Sequence, residues 1–354
     1  CRLLCKPSAL TQHLARSLGR WATGPGGRWQ RRSQLWMLWE LLKPPEPEPE
    51  VVRELLQLAD NGLVALDWLV GQRGTAGGVV GGPGPVLLLV PNATGKVSRG
   101  LLQLGLQALE RGFVPVIFNR RGHNGCPLGT PRLQPFGDPR DLGEAVTYVR
   151  CRHPAAPVLG CWDGTPPPSP PATVEDSRPH LVPWLSQLAP SPATRGVVGG
   201  QQHPTAISPP WPPGPIRYTR SLAEVVDVDR LLGSRSLREL EETLFCQTKS
   251  HPTTWETYWE HNEPLRDADE VAVPVLCLCH ADDPVRGPPA RSLPLELFRS
   301  SPYFFLLLTP GGGHCGSPPL GSGGCWGHGA VLEYFRAMVE FLRAEEQRKG
   351  LPRP

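Results

Sequence analysis

Short, unbroken apolar runs set the strongest limit on what this chain can fold into. Residues 86–90 (VLLLV), 114–118 (VPVIF), 274–279 (PVLCLC) and 303–308 (YFFLLL) contain no charged side chain and, Tyr303 aside, no oxygen-bearing one. A strand with one face in water alternates polar and apolar residues. A run without alternation fits a strand covered on both faces, as in a parallel sheet between helical layers. The sequence between the runs has helical spacing. Residues 98–111 carry Leu101, Leu102, Leu104, Leu106 and Leu109 and stop at Gly112, a residue that readily ends helices. Asp138 and Pro139 predict a second helix start, with Asp as N-cap and Pro at the first helical position. That helix continues through Leu142, Ala145, Val146 and Val149, and residues 158–160 (VLG) begin a third strand. Strand, helix, strand, helix, strand at this spacing predicts an α/β architecture built on a parallel sheet.

Around this frame, residues 51–59 and 63–70 flank Asp60-Asn61-Gly62. Two β-prone runs across an Asx- and Gly-rich turn predict a hairpin. Residues 71–85 form a Gly-rich loop. Residues 236–246 and 327–347 are amphipathic helices, the latter with Val331, Tyr334, Phe335, Met338, Phe341 and Leu342 on one face. Residues 1–50 read as a helical extension with helices at 8–18 and 33–42, closed by the linker PPEPEPE at 44–50. The second of these helices, with Trp36 and Trp39 downstream of Arg28, Arg31 and Arg32, packs on the domain or lies on a membrane surface. The chain begins at Cys1, so its true N-terminus is expected to be missing. No apolar run reaches the ~18 residues that span a bilayer.

The α/β rhythm breaks once. The chain holds 44 prolines in 354 residues, about 12% against a usual ~5%. Fifteen of them fall in residues 161–216, where PPPSPP and SPPWPPGP cannot lie inside a helix or a central strand. The expected organisation is therefore an N-terminal extension (1–50), the first half of an α/β domain (51–160), a proline-rich insert (161–216) and the second half of the domain (217–350).

Composition narrows the function classes. With 36 Lys+Arg against 33 Asp+Glu, the net charge of +3 gives no concentrated basic stripe for nucleic acid. The ten cysteines include no CxxC pair, so most read as buried or free thiols, and no metal or other cofactor is expected. Cys277 and His280 alternate to opposite faces of their strand, which argues against a metal site there. Two loops carry chemistry, each at the carboxyl end of a buried strand, where open parallel sheets form sites. The first is His280-Ala281-Asp282-Asp283-Pro284-Val285, and the second is Gly311-Gly312-Gly313-His314-Cys315-Gly316. An Asp followed by a later His suits a proton-transfer pair, in which the carboxylate orients the imidazole and steadies its charged form. Asp283 as a turn cap and His314 as an exposed loop residue is the plainer alternative.

The segments RELLQLADNGLVALDW (53–68), VLLLVPNATG (86–95), VIFNRRG (116–122), DPRDLGEAVTYVRCRHPAAPVL (138–159), SRSLRELEETLFC (234–246) and TYWEHNEPLRD (257–267), with the two loops above, resemble the α/β-hydrolase superfamily. The resemblance is to its abhydrolase branch, related to YheT-type esterases, and covers most of 1–160 and 217–350. It implies a mostly parallel sheet flanked by helices. It implies Asp283 as the acid of a catalytic triad, Asp282 less so, and His314 as the base. It implies an oxyanion loop at Asn92, Ala93 and Thr94, and a loop beside the site at 119–122, where an arginine salt bridge is the structural alternative. The nucleophile is unknown. A hydrolase of this kind needs G-x-S-x-G after the third strand, and the chain reads Gly160-Cys161-Trp162-Asp163-Gly164-Thr165-Pro166. Gly164 falls near the nucleophile's place, Cys161 comes too early and Ser169 lies among prolines. The elbow is therefore missing, through a frameshift or altered splicing or as a true feature of a pseudoenzyme.

The resemblance implies a lipase- or carboxylesterase-like protein of lipid metabolism, inactive as written for want of a nucleophile. The other reading is a non-catalytic scaffold that regulates lipid metabolism through a protein partner. Expected partners are a lipid or ester substrate, a regulatory protein and a membrane surface. The expected location is the endoplasmic reticulum or another internal membrane, or the secretory pathway.

Overall fold

Strand order shows how the buried runs are used. The computed structural model describes residues 1–21, 49–71, 84–92, 95–135, 138–162, 184–186, 218–249, 251–262, 268–283, 288–311, 319–320 and 324–348. In chain order the strands are β1 (Arg2–Leu4), β2 (Val51–Gln57), β3 (Leu63–Leu69), β4 (Val86–Val90), β5 (Val114–Asn119), β6 (Val158–Trp162), β7 (Trp184–Ser186), β8 (Val275–His280), β9 (Phe304–Thr309), β10 (Pro319–Leu320) and β11 (Gly324–Cys325). The first nine form one sheet in the order β1-β9-β8-β7-β6-β4-β5-β3-β2, and β10 and β11 pair separately. From β5 across to β9 every pair is parallel, whereas β1, β3 and β2 join antiparallel at the edges.

The helices are α1 (Ala9–Ser17), α2 (Arg99–Glu110), α3 (Arg140–Arg152), α4 (Thr219–Leu222), α5 (Val228–Leu232), α6 (Leu237–Glu241), α7 (Trp255–Asn262), α8 (Pro289–Ser292), α9 (Leu295–Ser300) and α10 (Trp326–Arg348). Alternation along the strands builds two cores. Leu87, Leu89, Leu159, Leu278 and Leu307 face α1, α2 and α10, while Val86, Leu88, Val158, Cys277 and Leu306 face α3 and α9. Each central strand is thus covered on both faces, and the α/β class is as expected. On the first face α2 lies close against the sheet at Gly105. A Cβ there would sit 2.4 Å from Leu69 Cδ1 and 3.0 Å from Leu89 Cδ1.

Helix starts follow local chemistry. Ser8 Oγ accepts from Thr11 N–H (3.0 Å) and Ser98 Oγ from Leu101 N–H (3.1 Å), each capping its helix. At α3 the helix starts one residue later than expected, at Arg140. Asp138 Oδ1 still accepts its N–H (3.0 Å), and Pro139 stands outside as the cap position. The helix expected over 236–246 is α6 followed by a wider turn at Glu242–Cys246, in which Gln247 N–H reaches Glu242 O (2.9 Å).

Two strands come from segments that carried no strand period. Arg2–Leu4 joins β9 at the sheet edge. Trp184–Ser186 lies inside the proline-rich segment, yet it pairs with β6 on one side and β8 on the other. Cys161 and Trp162, which open that segment, complete β6. Three residues are too few for a periodicity to register. The expected helix at 33–42 and most of the 71–85 loop lie outside the described residues.

The α4–α7 region packs through Leu222, Leu231, Leu240 and Leu244 onto Leu133 of the loop after β5. Tyr218 Oη donates to Cys126 O (2.9 Å) at the same junction. Burial pushes the thiols of Cys126 and Cys246 up to about 11 each. Among the described residues no helix is long and apolar enough to cross a membrane.

One ion cluster ties the hairpin to the sheet and to α3. Arg121, 5% exposed, donates from Nε and Nη2 to both oxygens of Asp141 (2.5 and 2.6 Å). Its Nη1 and Nη2 also reach both oxygens of Asp60 (2.7 and 2.9 Å) in the β2–β3 turn. Burial works against this charge. The hydrogen bonds and charges of Asp141 and Asp60 outweigh it and hold the guanidinium above the ordinary arginine value. The salt bridge weighed for the 119–122 loop is therefore present. Removing one partner of such a buried pair leaves the other charge uncompensated, so Arg121→Ala should lower unfolding stability by about 3–5 kcal/mol in urea titrations.

A second prediction concerns pH. His328 of α10 packs toward the first turn of α2, and its Nδ1 has no hydrogen-bond partner among the described residues. Burial, helped by the Arg111 charge, pulls its pKa from 6.5 down to about 4. The folded imidazole stays neutral where the unfolded one binds a proton. Its stabilising share is full above the unfolded value and is lost as pH falls from 6.5 toward about 4. The slope is at most about 1.4 kcal/mol per pH unit. Urea midpoints between about pH 7 and pH 4.5 should fall less steeply in His328→Gln.

Candidate functional site

The parallel register sets the site's position before any side chain is considered. Val90 pairs with Trp162, Trp162 with Ser186, and His280 with Thr309. The carboxyl ends of β4, β6, β7, β8 and β9 therefore lie along one edge of the sheet, and β5 ends there at Asn119. The chain leaves these strands along that edge, which is where open parallel sheets form sites.

The β8 end carries the first candidate. His280 is buried (5% exposed), and beyond it the chain turns so that Asp283 N–H reaches His280 O (3.4 Å). Asp283 is 8% exposed, a buried carboxyl at the strand end, whereas Asp282 beside it is exposed. Burial favours Asp283 over Asp282 as the residue that would hold an imidazole. The β9 end is joined to the β8 end. Thr309, fully buried, contacts His280 Nδ1 through its hydroxyl, which also lies 3.4 Å from Cys279 O and 3.3 Å from Gly311 O. Ala281 N–H extends the ladder to Thr309 O (2.7 Å). The acid's loop and the first residues of the histidine's loop are thereby held together. His314 lies outside the described residues. Gly311, where its loop begins, is buried.

The β4 end carries the second candidate. Asn92 O accepts Gly95 N–H (2.8 Å), closing a tight turn, while Ala93 and Thr94 lie outside the described residues. Gly95 has φ +70°, a conformation L side chains adopt rarely. A Cβ on it would sit 2.1 Å from His123 Cδ2. His123 Nδ1 is 2.8 Å from Arg121 O. A carbonyl only accepts, so Nδ1 is the protonated nitrogen and Nε2 keeps its lone pair. Burial first, then the Arg120 charge, holds this histidine below its usual range, in keeping with the neutral ring.

The β6 end carries no nucleophile among the described residues. Cys161 is inside the strand, 3% exposed, in the core facing α2 and α10. It is a packing residue rather than an elbow residue. Gly164, Thr165 and Ser169 lie outside the described residues. Sequence reasoning placed Asn119 only within the loop beside the site at 119–122 and passed over His123, Asn124 and Thr309. Asn119 alone left a signal, as a polar residue ending an apolar strand.

Comparison with known proteins finds relatives across the whole chain. The chain is 49% identical to the human protein ABHD15 over an alignment 382 positions long, covering all of this chain and 77% of that protein. It is 27% identical to the mouse phospholipase ABHD3 over 311 residues, or 81% of this chain and 71% of that one. Two solved structures align at low identity. A hydrolase from Pseudomonas aeruginosa PA01 has a TM-score of 0.40 at 17% identity, covering 80% of this chain and 98% of that one. A cold-adapted esterase from an Arctic intertidal metagenomic library has a TM-score of 0.40 at 14% identity, covering 84% and 95%. No protein-family profile matches the chain.

The Gly95 turn makes a direct prediction. Gly95→Ala must leave the left-handed conformation or displace the His123 ring, at a cost of about 1–2 kcal/mol. Thermal unfolding should show the loss, and truncating His123 as well, in a His123→Ala background, should recover only the steric part.

Proposed function

Because the chain belongs to the α/β-hydrolase superfamily, as a relative of ABHD15, we propose that the edge bearing Asp283 is a carboxylic-ester site of the lipase type. The substrates are acylglycerols, phospholipids or related esters of lipid metabolism. The observation that carries this reading is the buried Asp283 carboxyl at the end of β8, with the histidine-bearing loop leaving the neighbouring strand through Thr309 and Gly311. The ABHD3 relative is a phospholipase by name, which supports a lipid ester over a water-soluble one.

In this mechanism Asp283 accepts a hydrogen bond from the imidazole of His314 and fixes its tautomer. His314 takes the proton from a nucleophilic hydroxyl as it attacks the ester carbonyl and returns it to the leaving alcohol. Backbone N–H groups of the 92–95 turn face the developing oxyanion. The nucleophile belongs to the stretch after β6, and its identity is the open element of the mechanism.

A second reading is favoured by one observation. Residues 160–168 contain no serine. On that reading the same edge binds a lipid ester without cutting it, and the protein regulates lipid metabolism through a protein partner at an internal membrane surface.

One experiment separates the two. The purified chain is treated with a fluorophosphonate probe and, in parallel, offered p-nitrophenyl and phospholipid esters. The ester-hydrolase reading expects labelling and turnover, with Asp283→Asn reducing turnover on the order of 10⁴-fold while the fold survives. A folded protein that neither labels nor turns over any ester overturns it in favour of the binding reading.

A further inference from the structure

The sheet ends at β2, and this edge lacks the usual protection. Proteins blunt exposed edge strands by keeping them short, bulging them, or placing proline or outward charges on them. β1, at the opposite edge, has three residues. β2 has seven and no proline, and it pairs with β3 in an unbroken register from Val51–Leu69 to Gln57–Leu63, without a bulge. Its polar side chains do not guard the edge. Arg53 donates from Nε and Nη2 to the two oxygens of Asp67 on β3 (2.6 and 2.7 Å). Glu54 accepts from Trp68 Nε1 (3.0 Å) and meets Tyr148 and Arg152 of α3. Gln57 Nε2 donates to Asn61 Oδ1 (3.0 Å) in the turn. What the strand shows to water is largely apolar. Among the described residues four large apolar side chains are exposed, and three of them are Val51 (42%), Val52 (45%) and Leu55 (51%) of β2.

The backbone of this edge is open too. Val70 N–H reaches Glu50 O (3.0 Å) and Leu58 N–H reaches Gly62 O (2.9 Å). Hydrogen-bonded positions alternate along an antiparallel pair, so the even positions of β2 face β3. Val51, Arg53, Leu55 and Gln57 turn their N–H and C=O groups the other way, where the sheet has no further strand. Extended segments add to such edges through main-chain hydrogen bonds. The outward positions recur every second residue, so β2 can pair with itself about a two-fold axis, as closed dimers do. Charge selects among the registers that bring most of these positions together. Centred on Arg53, the guanidinium of one copy stands opposite that of the other. Centred on Glu54, two carboxylates stand opposite each other. Like charges directly opposite are destabilising. Centred on Leu55, the ladder sets Leu55 against Leu55 and Arg53 against Gln57, and Glu54 faces Leu56. No like charges meet, and the most exposed apolar side chain of the strand is covered by its own copy.

We propose that β2 is a dimerisation edge, on which a second copy of this chain lays its own β2 antiparallel about a two-fold axis at Leu55, joining the two sheets into one. The interface is independent of the ester-site reading, because β2 lies at the opposite end of the sheet from β8 and β9.

The test is sedimentation equilibrium of the full chain over a concentration series. The unsubstituted chain should show a reversible monomer–dimer equilibrium. Leu55→Lys sets two ammonium groups at the axis in place of an apolar pair and should weaken the dimer about tenfold. Gln57→Glu places a carboxylate opposite Arg53 twice, once per copy, and should tighten the dimer about fivefold. A register centred on Glu54 sets position 57 opposite Val51 and gives no such tightening. Both substituted positions are exposed, and circular dichroism checks that each variant keeps the fold. A chain that stays monomeric at every soluble concentration overturns the proposal and leaves the edge to an extended segment of another protein. A dimer that Leu55→Lys leaves unchanged, or that Gln57→Glu fails to tighten, overturns it as well.

Discussion

Burial of the central strands on both faces is the constraint from which the other features follow. β4, β6 and β8 have no solvent-facing side, so their side chains are Val, Leu, Cys, Gly and Trp until the strand ends. Polar chemistry has no room along these strands. It is pushed to the places where the chain leaves the sheet, and parallel pairing brings those exits to one edge. The location of the site is thus a consequence of how the core is covered, not of any single catalytic residue.

Two sets of polar groups enter this apolar frame paired among themselves. Arg121 joins the β2–β3 turn, the loop after β5 and the start of α3 through two carboxylates. Asn119 joins Asp67 to Asn124 within the same part of the sheet. A half-satisfied group in such a place would cost about 1–3 kcal/mol. Each set therefore acts as a specification of geometry as much as a source of stability. Both sets converge on the loop at 119–125, which also carries His123 against Gly95 and receives Tyr218 from the region after the proline-rich segment. This loop is the junction between the hairpin, the sheet, the candidate site and the α4–α7 region.

Much of the fold was legible in the sequence. Runs without alternation located β4, β5, β8 and β9 to within one residue, because two-sided burial leaves a continuous apolar signature. Apolar spacing placed helices from 8, 98 and 236, and Ser8, Ser98 and Ser236 cap them through short-range hydrogen bonding that needs no tertiary partner. The missed strands, β1 and β7, have three residues each and take their pairing from neighbours. The sequence singled out Asp283 because it lies in the loop that leaves a buried strand, and the structure shows that its carboxyl is buried there. The sequence also showed that residues 163–168, directly after β6, contain no serine.

What the sequence determined by itself is the set of local preferences: which runs avoid water, where helices begin, and which side chains can carry a proton or a charge. These depend on composition within a few residues. The tertiary structure alone decided that a three-residue segment among prolines completes the sheet, and that Arg121 lies between Asp60 and Asp141, residues 61 and 20 positions away. It alone aimed the amides of Asn119 and Asn124 toward Gly95. Those choices arise from hydrogen-bond direction between groups distant in sequence. Direction becomes defined only when the packed sheet removes water as the alternative partner.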